Sequence, residues 1–354
     1  VHGQGTLYLT ELNSDVKSVK GKPVKIWQGG FKNAHELGGG FGMEGSHMYR
    51  INGKYYITCP AGGTGGWQIC LRSDNIYGPY EHKLIMNDWS SYPENGLHQG
   101  GMVQLKNGDW WFMIMQDRGP IGRVPCLVPV KWIDGWPMLG DEGKDLITYP
   151  KPATGKKSKI KSPATTDEFN ASQLGLQWQW NHNPDNSRWS LKERKGYMRL
   201  YASQASTLKD ARNTLTQRVQ GPSCEGSVEM EVTGLKDGNI AGFGIFEFPY
   251  AYVAIRQESG RRKIVMCNDG KDIETVEHFN GDKLWIRVRA TDKEFKALFY
   301  YSLDVVNYKR IGNELQMGLG LPWTANRFAL FNFNTTPQGN NGYADFNWFR
   351  FTNK

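Results

Sequence analysis

The chain has 354 residues, a net charge of +8 and five cysteines; that length can hold two domains, each with its own core. No stretch of about 18 apolar residues occurs, so no segment is long and apolar enough for a membrane-spanning helix. The basic residues are spread along the chain, apart from Lys156-Lys157-Ser158-Lys159-Ile160-Lys161. That run reads as a solvated linker, and no motif supports a nucleic-acid partner.

The predicted elements are strands throughout. Leu7 to Leu12 is followed by the turn cluster Asn13-Ser14-Asp15. Gly38-Gly39-Gly40-Phe41-Gly42-Met43-Glu44-Gly45-Ser46-His47 then opens onto the strand Met48 to Ile51, which turns at Asn52-Gly53 into Tyr55 to Thr58. Glu44 is the best single candidate for chemistry: its backbone is flexible enough to approach a ligand, with a sheet behind it. The bland reading is a carboxylate capping its own loop. His47, three residues on, falls on the other strand face and reads as a packed or hydrogen-bonded structural histidine. The loop Gly62-Gly63-Thr64-Gly65-Gly66 leads to Trp67, a sugar-stacking candidate or a packing residue, and to the strand Gln68 to Ser73.

The plan then recurs. His98-Gln99-Gly100-Gly101 precedes Met102 to Leu105, an Asn107-Gly108 turn and the aromatic strand Trp110 to Met115. The repeat of about 54 residues suits four-stranded propeller blades, with Glu44 and His98 pointing into one axial pocket. Residues 151–165 lack aromatics and carry Gly, Pro, Ser and Lys, as a linker does. This divides the chain into 1–150, a linker at 151–165, and a strand-rich region over 166–354. Within the last, Ser227 to Val232 and Trp285 to Ala290 alternate with period two, as in a two-sheet sandwich. Trp178, Trp180 and Trp189 read as its core. Glu168 and Asp345, near the two ends of that region, are carboxylates that neighbouring strands can bring to one Ca²⁺. The cysteines (Cys59, Cys70, Cys126, Cys224, Cys267) have no CxxC spacing and favour buried thiols, with a Cys59–Cys70 bridge left open.

Glu44-Gly45-Ser46-His47, His98-Gln99-Gly100-Gly101, Gln116-Asp117-Arg118-Gly119, Gly122-Arg123-Val124-Pro125 and Val130 to Pro137 resemble, in order and spacing, glycoside hydrolase family 43. Trp178 to Pro184 and Tyr343 to Phe349 resemble the concanavalin-like sandwich that follows the propeller in xylosidase-type members. The resemblance implies an all-β chain: part of a five-bladed β-propeller, then a jelly-roll β-sandwich. It implies an exo-acting, inverting hydrolase of xylo- or arabino-oligosaccharides, needing no cofactor for chemistry.

By that likeness Glu44 is the general acid. His98 sits beneath the sugar, where it can help hold a hydrated Ca²⁺, and Arg123 donates to sugar hydroxyls and to the acid. Asp117 is a substrate contact or a turn ion pair with its neighbours. The sandwich loop with Trp323 and Phe328 closes one side of the pocket. The family's water-activating Asp and its acid-tuning Asp have no counterpart here. With a chain that begins at Val1, the resemblance implies that N-terminal blades are missing, carried by a longer protein or a separate polypeptide. Secretion or a periplasmic location is favoured, with no natural N-terminus to read. β-Xylosidase, α-L-arabinofuranosidase and a non-catalytic carbohydrate-binding fragment all stay open, with the first favoured.

Overall fold

The computed structural model describes residues 5–28, 43–87, 96–144, 148–153, 155, 159, 162–318, 324–337 and 339–353. Among them there is no α-helix, only strands and three single 3₁₀ turns. By its contacts the chain divides into two units. One is 1–118 with 123–159; the other is 160–354 with the tetrapeptide Gly119–Gly122.

The first unit holds ten strands. β1 (Thr6–Leu12) and β2 (Val19–Gln28) form an antiparallel hairpin. β3 (His47–Ile51), β4 (Lys54–Ala61), β5 (Trp67–Ser73) and β6 (Glu81–Met86) make one four-stranded meander, in that order. β7 (Leu97–Gln104), β8 (Trp110–Asp117), β9 (Arg123–Ile133) and β10 (Trp136–Leu139) make the second. These are the blades that the repeat predicted.

Each blade opens with a tight hairpin whose turn residues have positive φ: Asn52 at +50° and Gly53 at +83° in the first, Gly108 at +93° in the second. A shared core of Tyr56, Cys70, Ile85, Met102, Phe112, Ile114, Val130 and Trp136 joins the blades face to face. Arg72 of β5 lies 4.1 Å over the Trp136 ring and donates to the Asp134 carbonyl, fixing their register at the outer edge.

The second unit is a sandwich of two eight-stranded sheets. One centres on Ser223–Glu231, flanked by Tyr343–Asn353 and Lys283–Thr291; the other on Asn239–Phe246, flanked by Arg327–Asn334 and Ala251–Glu258. The alternation expected from sequence is present. Val228, Met230, Ile286 and Val288 are buried between the sheets, while Glu229, Glu231, Arg287 and Arg289 face outward. Trp178 is buried against Phe169 and Phe349, and Trp180 and Trp189 pack together at the core margin, so the tryptophans are structural.

All five cysteines are free thiols. Cys59 and Cys70 lie on adjacent strands but are offset, since Cys59 pairs with Ile69 and Cys70 with Thr58. Burial pushes the Cys59 thiol up to about 12, as befits an inert core residue. Of the basic linker run, only Lys159 falls among the described residues.

Candidate active site

Glu44 and Gly45 precede β3, and His98 and Gln99 begin β7. Three contacts set these strands side by side in the same direction. A Cβ on Gly45 would meet the Gln99 side chain at 3.1 Å, a Cβ on Gly101 would meet the His47 ring at 3.4 Å, and Tyr49 Oη accepts the Met102 N–H at 2.9 Å. Glu44 and His98 therefore lead neighbouring parallel strands at the same end.

Glu44 follows Met43, which is fully buried, left-handed at φ +64° and donates its N–H to the Pro60 carbonyl. Ser46 Oγ donates back to the Met43 carbonyl at 3.2 Å. The turn is thus pinned on both sides of the acid. Glu44 itself is exposed, and among the described residues its carboxylate has no hydrogen-bond partner, which argues against a loop-capping role. His47 is exposed as well, with one side of its ring against Gly101.

His98 is buried at 3% exposure. Its Nδ1 lies 3.0 Å from the Gly96 carbonyl, which requires the proton on Nδ1. Nε2 faces Asp117 Oδ2 at 3.4 Å, and Asp117 Oδ1 faces Arg123 Nε at 3.5 Å. Asp117 and Arg123 are cross-strand partners where β8 meets β9. Burial lowers the His98 pKa and Arg123 adds to this, while the Gly96 carbonyl and Asp117 oppose it; the net shift is below the usual 6.5. The imidazole is thus buried, with its Nδ1–H donated to the Gly96 carbonyl and its Nε2 beside the Asp117 carboxylate.

This geometry corrects several expectations. The Ca²⁺ expected at His98 is not shown: no set of three His, Cys, Asp or Glu among the described residues can hold a metal. Asp117 is buried, with His98 Nε2 and Arg123 Nε beside its two oxygens. Arg118 Nε donates to the Gln116 side chain at 2.9 Å.

Trp67 is no stacking platform. It is 4% exposed in a core with Met43, Ile57 and Tyr80, and its ring fills the space where a Gly62 side chain would stand, at 2.4 Å. The glycine loop exists for close packing: a Cβ on Gly66 would meet the His98 ring at 2.8 Å and the Ala61 carbonyl at 2.5 Å.

In the sandwich, Phe328 is fully buried, stacked on Phe243 and edge-on to Phe351, and has no face free for a ligand. Trp323 lies outside the described residues. Glu168 and Asp345 are not brought together. Glu168 pairs with Arg350 at the surface, five residues further along the strand that carries Asp345, or roughly 15 Å away. Asp345 is held by Arg199 through two 2.8 Å bonds and by Arg194 at 3.0 Å, which leaves no oxygen for calcium.

Two residues at the site escaped the sequence reading. Gln68 of β5 is fully buried and accepts the Gln99 N–H on its Oε1 at 2.8 Å. Gln99 is left-handed at φ +57°, at an irregularity in the β7–β8 pairing. A contact spanning 31 residues leaves no local sequence signal.

Propeller blades followed by a concanavalin-like sandwich define a class, and comparison with known proteins agrees. Residues 1–137 match the model of glycosyl hydrolases family 43, and residues 166–352 match the β-xylosidase C-terminal concanavalin A-like domain. The chain belongs to glycoside hydrolase family 43.

It is 32% identical to a β-xylosidase of Formosa agariphila, over 88% of this chain and 60% of that protein. It is 27% identical to a non-reducing end α-L-arabinofuranosidase of Bacteroides ovatus, over 88% of this chain and 63% of that protein. Among solved structures, a bifunctional GH43-CE protein of Bacteroides eggerthii superposes with a TM-score of 0.86 at 37% identity, covering 100% of this chain and 46% of that one. The chain thus spans about 60% of the length of the curated relatives it matches. The comparisons do not support a separate propeller polypeptide as a partner.

Proposed function

We propose that the protein carrying this chain is an exo-acting, inverting glycoside hydrolase that releases xylose from xylan-derived oligosaccharides. Glu44 is its general acid. The observation that supports this best is the parallel registration of β3 and β7, with an exposed carboxylate leading one strand and a buried imidazole leading the other.

In the proposed reaction the Glu44 carboxyl gives its proton to the glycosidic oxygen as the bond from that oxygen to the anomeric carbon breaks. Water adds to the opposite face of the sugar and loses a proton to a second carboxylate, roughly 6.5–9.5 Å from the first in inverting enzymes. That base has no counterpart among the site residues of this chain. Arg123, with a side chain 31% exposed and set by Asp117, is placed to donate to a pentose hydroxyl.

A second reading, α-L-arabinofuranosidase, is favoured by the Bacteroides ovatus relative, and both sugars present pentose hydroxyls to the same donors. Paired aryl β-xylosides and α-L-arabinofuranosides, assayed with the full-length protein and with residues 1–354 alone, test both readings. Xyloside turnover by the full-length protein and none by the chain alone is expected. Turnover of neither pentoside by the full-length protein removes the assignment, and full activity from residues 1–354 places the base within this chain. We further propose that 166–354 folds by itself; failure of that fragment to unfold cooperatively would refute the boundary.

A further inference from the structure

Glu44 needs something to hold it, because its own carboxylate is exposed and has no partner among the described residues. Three observations converge on its neighbour Gly45. Gly45 is left-handed at φ +56°, and the Gln99 side chain lies against it, with Nε2 at 3.1 Å and Cγ at 3.6 Å from where a Cβ would stand. Gln99 is itself left-handed at φ +57°, a conformation uncommon outside glycine, asparagine and aspartate. It is held there by a bond to the core: Gln68 Oε1 accepts its N–H at 2.8 Å, and Gln68 is fully buried.

We propose that Gln99, locked by Gln68, is a positioning residue for the general acid: its side chain braces Gly45 and so fixes where the Glu44 carboxyl points. The proposal rests on the reading of Glu44 as the acid. Strained backbone persists only where surrounding structure over-determines it, and here a core glutamine supplies that constraint. The fully buried Gln68 Nε2 has no partner among the described residues, so only one end of this side chain is satisfied, and that end fixes Gln99. The brace acts through the backbone beside Glu44. It therefore affects proton delivery to the leaving oxygen more than binding of the sugar.

The test uses the full-length protein with Gln99→Gly, which accepts the left-handed backbone but removes the brace. Gln99→Asn, which also tolerates that conformation and is too short to brace, serves as a second variant should the first fold poorly. Both are assayed on xylobiose, whose leaving group needs the acid, and on a nitrophenyl β-xyloside, whose leaving group does not.

A loss in kcat of about tenfold on xylobiose, with KM and nitrophenyl turnover within about twofold, is expected, and Gln99→Met, which restores length, should recover most of it. Unchanged xylobiose turnover in the glycine and asparagine variants, or an equal loss on both substrates, overturns the brace. Glu44→Gln run in parallel separates the two claims. If its loss is greater on xylobiose than on the nitrophenyl substrate, the acid assignment stands whatever Gln99 does; if it shows no such dependence, the acid reading fails and the brace falls with it.

Discussion

Each unit of this chain buries an aspartate among basic groups, and the two do so differently. In the sandwich, Asp345 receives three bonds of 2.8–3.0 Å from Arg199 and Arg194, which also reach Glu193 and Glu231 and lie over the rings of Tyr343 and Tyr197. In the blades, Asp117 meets His98 at 3.4 Å and Arg123 at 3.5 Å. Short, saturated contacts spend the charge on holding strands together. Longer contacts at the head of β7 leave an imidazole and a guanidinium oriented, with the guanidinium still partly open to solvent. A buried ion pair thus marks function only when its geometry leaves something to be done.

The largest expected effect tests whether the blade end is the reactive one. In the full-length protein Glu44→Gln should lower turnover of unactivated pentosides by about 10²–10⁴-fold, with a smaller loss on activated aryl substrates and little change in melting temperature, since the side chain is exposed. A uniform loss across leaving groups would remove Glu44 from the role.

The aspartates come next. Asp345→Ala, which orphans Arg199, should destabilise the chain by about 3 kcal/mol in urea unfolding. Asp117→Ala should cost about 1–2 kcal/mol but lower kcat/KM of the full-length protein about tenfold or more. The opposite ranking in either measurement breaks the comparison. A smaller perturbation is Gly66→Ala. Its Cβ would press on the His98 ring and the Ala61 carbonyl, so a destabilisation of about 1–3 kcal/mol is expected, together with reduced activity. A neutral result would mean that the loop over His98 yields.

Smallest are the pH slopes, which differ in sign of cause. Folded His98 titrates below 6.5, so the unfolded chain binds the proton more readily. The stability of the blades should therefore fall as pH drops through about 6.5 and level off below the folded value. His98→Gln should flatten that limb. Burial alone would raise Glu229 of the sandwich, but Lys283, the Trp285 indole and Asn347 together hold it below 4.5. Its contribution is present above that value and lost only as pH falls through the folded one, so Lys283→Met should change acid unfolding below about 4.5 and leave the region near 6 untouched.

Strand order, the two blade hairpins, the sandwich alternation and the leading positions of Glu44 and His98 were legible in the amino-acid sequence. Each depends on local signals: Asn-Gly turns, period-two burial and a repeated glycine-strand plan. The fate of single side chains was not. Trp67 and Phe328 have the composition of ligand platforms, but cores need large flat side chains as much as binding sites do. Which of the two roles a ring takes depends on neighbours distant in sequence, here Met43 for Trp67, and Phe243 with Phe351 for Phe328. Asp345 looked like a metal ligand until two arginines, one of them from an adjoining strand, took both its oxygens. Gln68 and Gln99 meet across 31 residues through one bond, and no pattern along the chain reports it. Periodicity and turn chemistry are written locally, so the sequence alone determined the architecture. Satisfaction of buried polar groups is settled between strands, so only the tertiary structure decided which residues of the site are oriented, which are saturated and which are core.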